Sequence, residues 1–184
     1  MIDLRSQLCR KLLAYFFTNP GARRYLREVA GFLRADPSNL LKELRRLERD
    51  GLFLSERRGR EVYFRLNREY PLFREVKTII FKTVGAPSLI RAAVEGIPGV
   101  EAAYLYGSFA RSQEDALSDI DLLIVGNPQP EAVEVPIRRL ENQLRREINY
   151  TLLSPEEFKS RRARRDAFLE DVWRQKKITL VGSP

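Results

Sequence analysis

The sequence predicts an α+β chain built from two modules, and three observations carry that reading. Apolar residues recur at helical spacing through three successive segments before residue 50. Strand-like runs follow, first around a basic turn and later around two aspartates set one residue apart. Charge is also divided unevenly, with 19 Lys/Arg against 10 Asp/Glu in residues 1–84 and 14 against 15 in residues 85–184. The first part has the electrostatics of a polyanion binder and the second does not. The expected boundary lies at "VGAPS", which gives modules 1–84 and 85–184.

The totals exclude several classes. A chain of 184 residues with 43% apolar and 10% aromatic side chains can bury a core in one ordinary domain or two small ones. No run reaches the roughly 20 apolar residues of a membrane span, and "MIDLRSQLCRK" lacks a signal-peptide pattern. The single Cys9 allows no internal disulfide, as expected of a cytoplasmic protein. Histidine is absent, which removes a catalytic imidazole and the usual zinc constellations and leaves carboxylates and arginines for any chemistry.

In the first module, Leu4, Leu8, Leu12 and Phe16 mark a helix over 2–17, stopped by "NPG". Leu26, Val29, Ala30 and Leu33 mark a second over 23–33. The third is punctuated at both ends: Asp36 caps it, Pro37 opens it, Leu40, Leu41, Leu44 and Leu47 face inward, and Gly51 follows. "LFLSERRGREVYFRLN" then reads as two strands around Arg57-Arg58-Gly59-Arg60. "YPLFREVKTIIFKTVG" reads as a helix whose Leu72, Val76, Ile79 and Ile80 face a partner, as a connecting helix or dimer contact.

Three helices and a basic-tipped hairpin resemble the winged helix-turn-helix family of transcription regulators over residues 5–68. The resemblance implies duplex DNA as partner, with the third helix in the major groove and the wing on the backbone or minor groove. It implies base or nearby phosphate contacts for Ser38, Asn39 and Lys42, and phosphate contacts for Arg45, Arg46, Arg57, Arg58 and Arg60. It also implies a homodimer on two half-sites. Winged helices serve as protein-docking modules too.

In the second module, Val100 to Tyr106 reads as a buried strand that turns at Gly107. The residues after it open a helix whose free N–H groups favour an anion, with Ser108 adding a hydroxyl and Arg111 one turn on. "SDIDLLIVG" reads as a strand, so Asp119 and Asp121 share a face while Ile120, Leu122 and Ile124 pack on the other. Two ionised carboxylates so close are relieved by a hard divalent cation, Mg²⁺ above all, which takes its remaining ligands from water and phosphates.

Gly107-Ser108 followed by Asp119-Ile120-Asp121 resembles the nucleotidyltransferase superfamily that includes DNA polymerase beta, and "GSFAR" with "SDIDLLI" resembles its minimal members. The resemblance implies a mixed-sheet fold and transfer of a nucleoside monophosphate from a nucleoside triphosphate to an acceptor hydroxyl. It implies Mg²⁺ on Asp119 and Asp121, and triphosphate on Gly107 and Ser108 with Arg111 as a further contact or a brace for the loop. The family also supplies a third carboxylate from a later strand. Here "EINYTLLS" puts Asn149 or Thr151 at that place, and neither is an acid; Glu147 serves only if the register shifts by two. Two alternatives to an enzyme follow: a regulator whose second module senses nucleotide, and an antitoxin-like protein acting on a partner toxin.

The remaining segments predict a helix over 136–145, helices over 155–164 and 166–174 with Ser154 as cap, and a last strand in "KKITLVG". The cluster "KSRRARR" reads as a solvated helix face, and Phe168 and Trp173 read as core.

Overall fold

The computed structural model describes residues 3–111 and 119–182. The chain divides into two compact units, Met1–Ala86 and Pro87–Pro184. Together they mix helices with two separate sheets, as an α+β chain must.

The first unit runs α1 (Gln7–Thr18), β1 (Arg24–Tyr25), α2 (Leu26–Leu33), α3 (Pro37–Arg49), β2 (Phe53–Arg58), β3 (Glu61–Leu66) and α4 (Phe73–Thr83). Helix α1 starts later than its leucine spacing predicts, because the Ser6 hydroxyl caps it by accepting from the Cys9 N–H at 3.3 Å. In α3 the Asp36 carboxylate accepts from the Asn39 N–H at 2.9 Å, and Leu40, Leu44 and Leu47 are buried. Strands β2 and β3 pair antiparallel from Phe53↔Leu66 to Arg58↔Glu61. Gly59, at φ +59°, turns the chain between them.

Two expectations in this unit need correction. Residues 24–25 were expected in a helix but pair with β3, Arg24 opposite Phe64 and Tyr25 opposite Tyr63. Backbone hydrogen bonding to a strand forty residues away overrides the local helical spacing there. The other correction concerns α4. Val76 and Ile80 turn into the unit's own core, beside Phe16, Leu44 and Phe53, whereas Leu72 and Ile79 are half exposed. The four residues therefore do not form one face toward a partner.

The second unit contains α5 (Ala86–Glu95, starting at the boundary), β4 (Val100–Tyr106), α6 (Gly107–Ala110), β5 (Ile120–Gly126), α7 (Pro130–Leu144), β6 (Ile148–Leu153), α8 (Pro155–Ala163), α9 (Ala167–Arg174) and β7 (Ile178–Val181). The sheet order is β6-β5-β4-β7. Strand β4 is antiparallel to β5 and β7, and β5 is parallel to β6. A parallel neighbour requires a crossover, and α7 supplies it. This helix begins at Pro130 and runs through Pro136, where the sequence predicts its start. Burial of Val133, Ile137, Leu140 and Leu144 along one stripe holds it together despite the hydrogen bond that Pro136 cannot donate.

Strand alternation divides the roles of the two sheet faces. Tyr104, Leu123, Val125 and Leu153 share a cluster with Leu169 and Val172 of α9, edged by Phe158, Phe168 and Trp173. Phe168 and Trp173 are thus partly exposed members of the core, and Trp173 has Arg162 and Lys177 over its ring at 4.6 and 4.9 Å. Ile120, Leu122 and Ile124 are fully buried on the opposite face. No helix among the described residues is long and apolar enough to cross a membrane.

Cys9 gives a test of the first core. It is fully buried, and burial, reinforced by a hydrogen bond to Glu43, pushes its thiol up to about 12. A thiol reagent at neutral pH is expected to modify the folded protein at least about 100-fold more slowly than the denatured chain, since the thiolate is the reactive form. Equal rates would mean that α1 is not packed as described.

Candidate active site

The site is assembled by strand register. Tyr106 and Asp121 are direct partners across β4 and β5, so the turn at Gly107 begins beside the second aspartate. Gly107 has φ +72°, and a Cβ there would overlap the Asp121 Oδ2 atom. Glycine is required twice over at this point, for the backbone conformation and for the approach of the carboxylate. The helix after it is a single turn, Gly107–Ala110, so its polarity is that of a few N–H groups rather than a long dipole. Phe109 and Ala110 are buried and anchor the turn, leaving Ser108 half-buried at its start.

Asp121 lies within β5, and Asp119 immediately precedes the strand. Burial first, and the charge of Asp119 second, hold the Asp121 carboxyl above the usual carboxylate range, while Arg111 pulls the other way. On the far side, β6 places Asn149 directly opposite Asp121. Its Nδ2 donates to Asp119 Oδ2 at 3.2 Å. Glu147 falls before the strand, is exposed, and uses its backbone carbonyl to accept from the Ile120 N–H at 3.0 Å. Thr151, two residues beyond Asn149 on the same face, hydrogen-bonds with the Tyr106 side chain, whose phenol is pushed up by burial.

No group of three or more acidic, Cys or His side chains suited to a metal occurs among the described residues. Two carboxylates and the amide oxygen of Asn149 remain as hard donors. Mg²⁺ needs only one or two protein carboxylates, and Asp121 is raised by a burden that a cation removes. The residues present therefore fit Mg²⁺ through Asp119 and Asp121.

Residues 89–179 match the family model described as polymerase beta, nucleotidyltransferase. These residues form a nucleotidyltransferase-family domain. Among solved structures, a toxin-antitoxin with AMP-PNP is 19% identical, covering 53% of this chain and 74% of that one with a TM-score of 0.40. A mutant of the toxin-antitoxin MntA-HpeT is 16% identical, covering 53% of this chain and 73% of that one with a TM-score of 0.38. The comparison with curated proteins returns no match.

The sequence did not reveal two neighbours of the candidate site, Gln175 and Asp171. Arg111 Nη1 donates to Gln175 Oε1, and Gln175 Nε2 donates to Asp171 Oδ2 at 2.6 Å. No local spacing links Arg111 to a residue 64 positions away.

In the first unit, Ser38, Asn39 and Lys42 are exposed on α3. Arg45 is exposed but engaged, donating to Glu48 at 2.6 Å and to Ser55 at 3.1 Å. Arg46 stands apart from this group: it is partly buried and turned to Glu43, with Cys9 Sγ at 3.8 Å. At the hairpin, Arg58 pairs with Glu56 at 2.9 Å, Arg57 donates to the Gly59 carbonyl at 3.1 Å, and Arg60 is exposed.

The position of Asp121 gives a stability test. Its raised carboxyl means that the folded state binds the proton more tightly than the unfolded one. Stability therefore falls as pH rises from the unfolded value near 4 through the folded one. Asp121→Asn is expected to remove that decline and raise the melting temperature of the metal-free protein at pH 7 by about 2 °C or more. A lower melting temperature in the variant would contradict the placement.

Proposed function

We propose that the nucleotidyltransferase domain binds a nucleoside triphosphate with Mg²⁺ and transfers its nucleotidyl group to an acceptor hydroxyl, and that the first unit docks on duplex DNA. The pairing of Tyr106 with Asp121 is the observation that supports the first part most directly, because it sets the glycine turn against the acid pair. Asp119 and Asp121 would hold the cation, while Gly107 N–H, the Ser108 hydroxyl and Arg111 would hold phosphate oxygens. When bound, Mg²⁺ supplies charge neutralisation at the phosphate oxygens and a template that orients the reacting groups. Transfer would join the acceptor oxygen to the α-phosphorus, break the bond from that phosphorus to the bridging oxygen, and release pyrophosphate. Asn149 cannot take the acceptor's proton, which would pass to water.

The amide at Asn149 favours a second reading, in which the domain binds nucleotide as a sensor and transfers slowly or not at all. Its N–H group is given to Asp119, where a third carboxylate would add negative charge and a proton acceptor. A toxin partner would be the acceptor under the first reading and a bound partner without chemistry under the second.

For the first unit, the α3 surface of Ser38, Asn39 and Lys42 and the hairpin with Arg57, Arg58 and Arg60 offer groove and backbone contacts to a duplex. Arg45 would reach phosphate only by leaving Glu48, and Arg46 is better read as structural.

Calorimetry with ATP and Mg²⁺ is expected to show magnesium-dependent binding that weakens at least about tenfold in Asp119→Ala and Asp121→Ala. With labelled nucleotide, Asn149→Asp is expected to raise transfer by about 100-fold or more, the usual contribution of a positioned base. Binding of none of the common nucleotides would overturn the reading, and transfer unchanged by Asn149→Asp would remove the amide from its account.

DNA affinity should fall steeply with salt, and each of Lys42→Ala, Arg57→Ala and Arg60→Ala should reduce the slope of log K against log salt by about 1. An affinity indifferent to ionic strength would reject DNA as the partner.

A further inference from the structure

The polar chain from Arg111 through Gln175 to Asp171 crosses from the turn beside the acid pair to the last helix of the same unit. Arg111 closes α6, its N–H bonded to the Gly107 carbonyl at 3.3 Å. Guanidinium groups only donate, so the Gln175 amide must offer Oε1 to Arg111 and direct Nε2 elsewhere. Nε2 goes to Asp171 Oδ2, which lies one turn back on α9, and Asp171 also accepts from Arg174 at 2.9 Å. The Arg111 Nε atom is buried and has no hydrogen-bond partner among the described residues.

The order of groups in that chain matters. A carboxylate touching Arg111 would fix it equally well, but would also pair with its charge and compete with any incoming phosphate. An amide fixes the guanidinium through a neutral oxygen and adds no opposing charge in contact with it. Asp171 is kept one hydrogen bond away, where it orients the amide and feels the Arg111 charge only as its weakest influence.

We propose that Gln175 and Asp171 are positioning residues that hold Arg111 toward a bound polyphosphate while keeping its positive charge available. This rests on the nucleotide-binding reading of the same domain. The C-terminal end of α9 thereby belongs to the phosphate grip, although it is far from the glycine turn in sequence.

The test moves the negative charge by one side chain and changes little else. The double variant Asp171→Asn/Gln175→Glu keeps the hydrogen-bonding chain and the net charge, but sets a carboxylate against Arg111. Tripolyphosphate with Mg²⁺, titrated calorimetrically into the full chain, reads the phosphate grip without any base preference. The double variant is expected to bind about tenfold more weakly than the parent while melting within about 2 °C of it. Gln175→Ala, which frees Arg111 without neutralising it, is expected to lose only about threefold. A merely structural chain predicts the reverse order, with the double variant binding as the parent does and the alanine variant impaired, and that result would overturn the proposal. Failure of the parent itself to bind tripolyphosphate would defeat the nucleotide reading and this inference with it. Normal binding by the parent and the double variant alike would defeat the inference alone.

Discussion

Withdrawal of the Asp121 carboxylate from water, with the charge of Asp119 beside it, is the constraint on which the candidate site of the second unit depends. Strand geometry creates the conflict, since residues two apart on a strand share a face. The antiparallel pairing of β4 with β5 sharpens it by seating Asp121 against the backbone of Gly107. A fold selected only for stability would place a hydrophobic or amide side chain at 121, next to Leu123 and Val125 in the same strand. A carboxylate there, held above its ordinary range by burial and by the charge of Asp119, is what the proposed cation site would use.

Around that pair, positive and neutral groups are distributed unequally. Arg111 approaches from the turn and offsets part of the negative charge. Asn149 approaches from β6 and offers an N–H where a third carboxylate would add another charge. The exchange of acid for amide relaxes the site without a metal and at the same time withdraws a proton acceptor. On the proposed function, stability of the empty domain and speed of transfer would be set against each other at one position, and the enzymatic and sensory readings would differ in degree along one physical axis.

Much of this was legible in the sequence because it is local. Val100–Tyr106, Gly107 and the Asp119/Asp121 pair declare themselves by alternation and by a turn residue, and alternation also places Asn149 on the facing strand's matching side. What was hidden depends on contacts distant in sequence. Strand β1 exists because β3 accepts it, and α7 passes through Pro136 because a four-residue apolar stripe outweighs one lost hydrogen bond. Val76 and Ile80 were expected to face a partner, and the unit's own core takes them instead. Gln175 and Asp171 carry no spacing signal at all, since only the folded chain brings α9 to Arg111.

Charge in the first unit needs the same distinction between what is counted and what is available. The excess of Lys and Arg over residues 1–84 is a property of the sequence, yet Arg45 is engaged by Glu48, Arg46 by Glu43 and Arg58 by Glu56. Exposed ion pairs of this kind contribute little to stability, so opening one to meet a phosphate costs little. The partly buried Arg46 is different: its withdrawal would leave Glu43 facing the Cys9 thiol without its cation. Lys42, Arg57 and Arg60, exposed and with no ion-pair partner among the described residues, need no such exchange. Any polyanion that the unit meets would engage these three first, and Arg45 and Arg58 would follow by trading a carboxylate for a phosphate, so such a surface would be adaptable rather than merely positive.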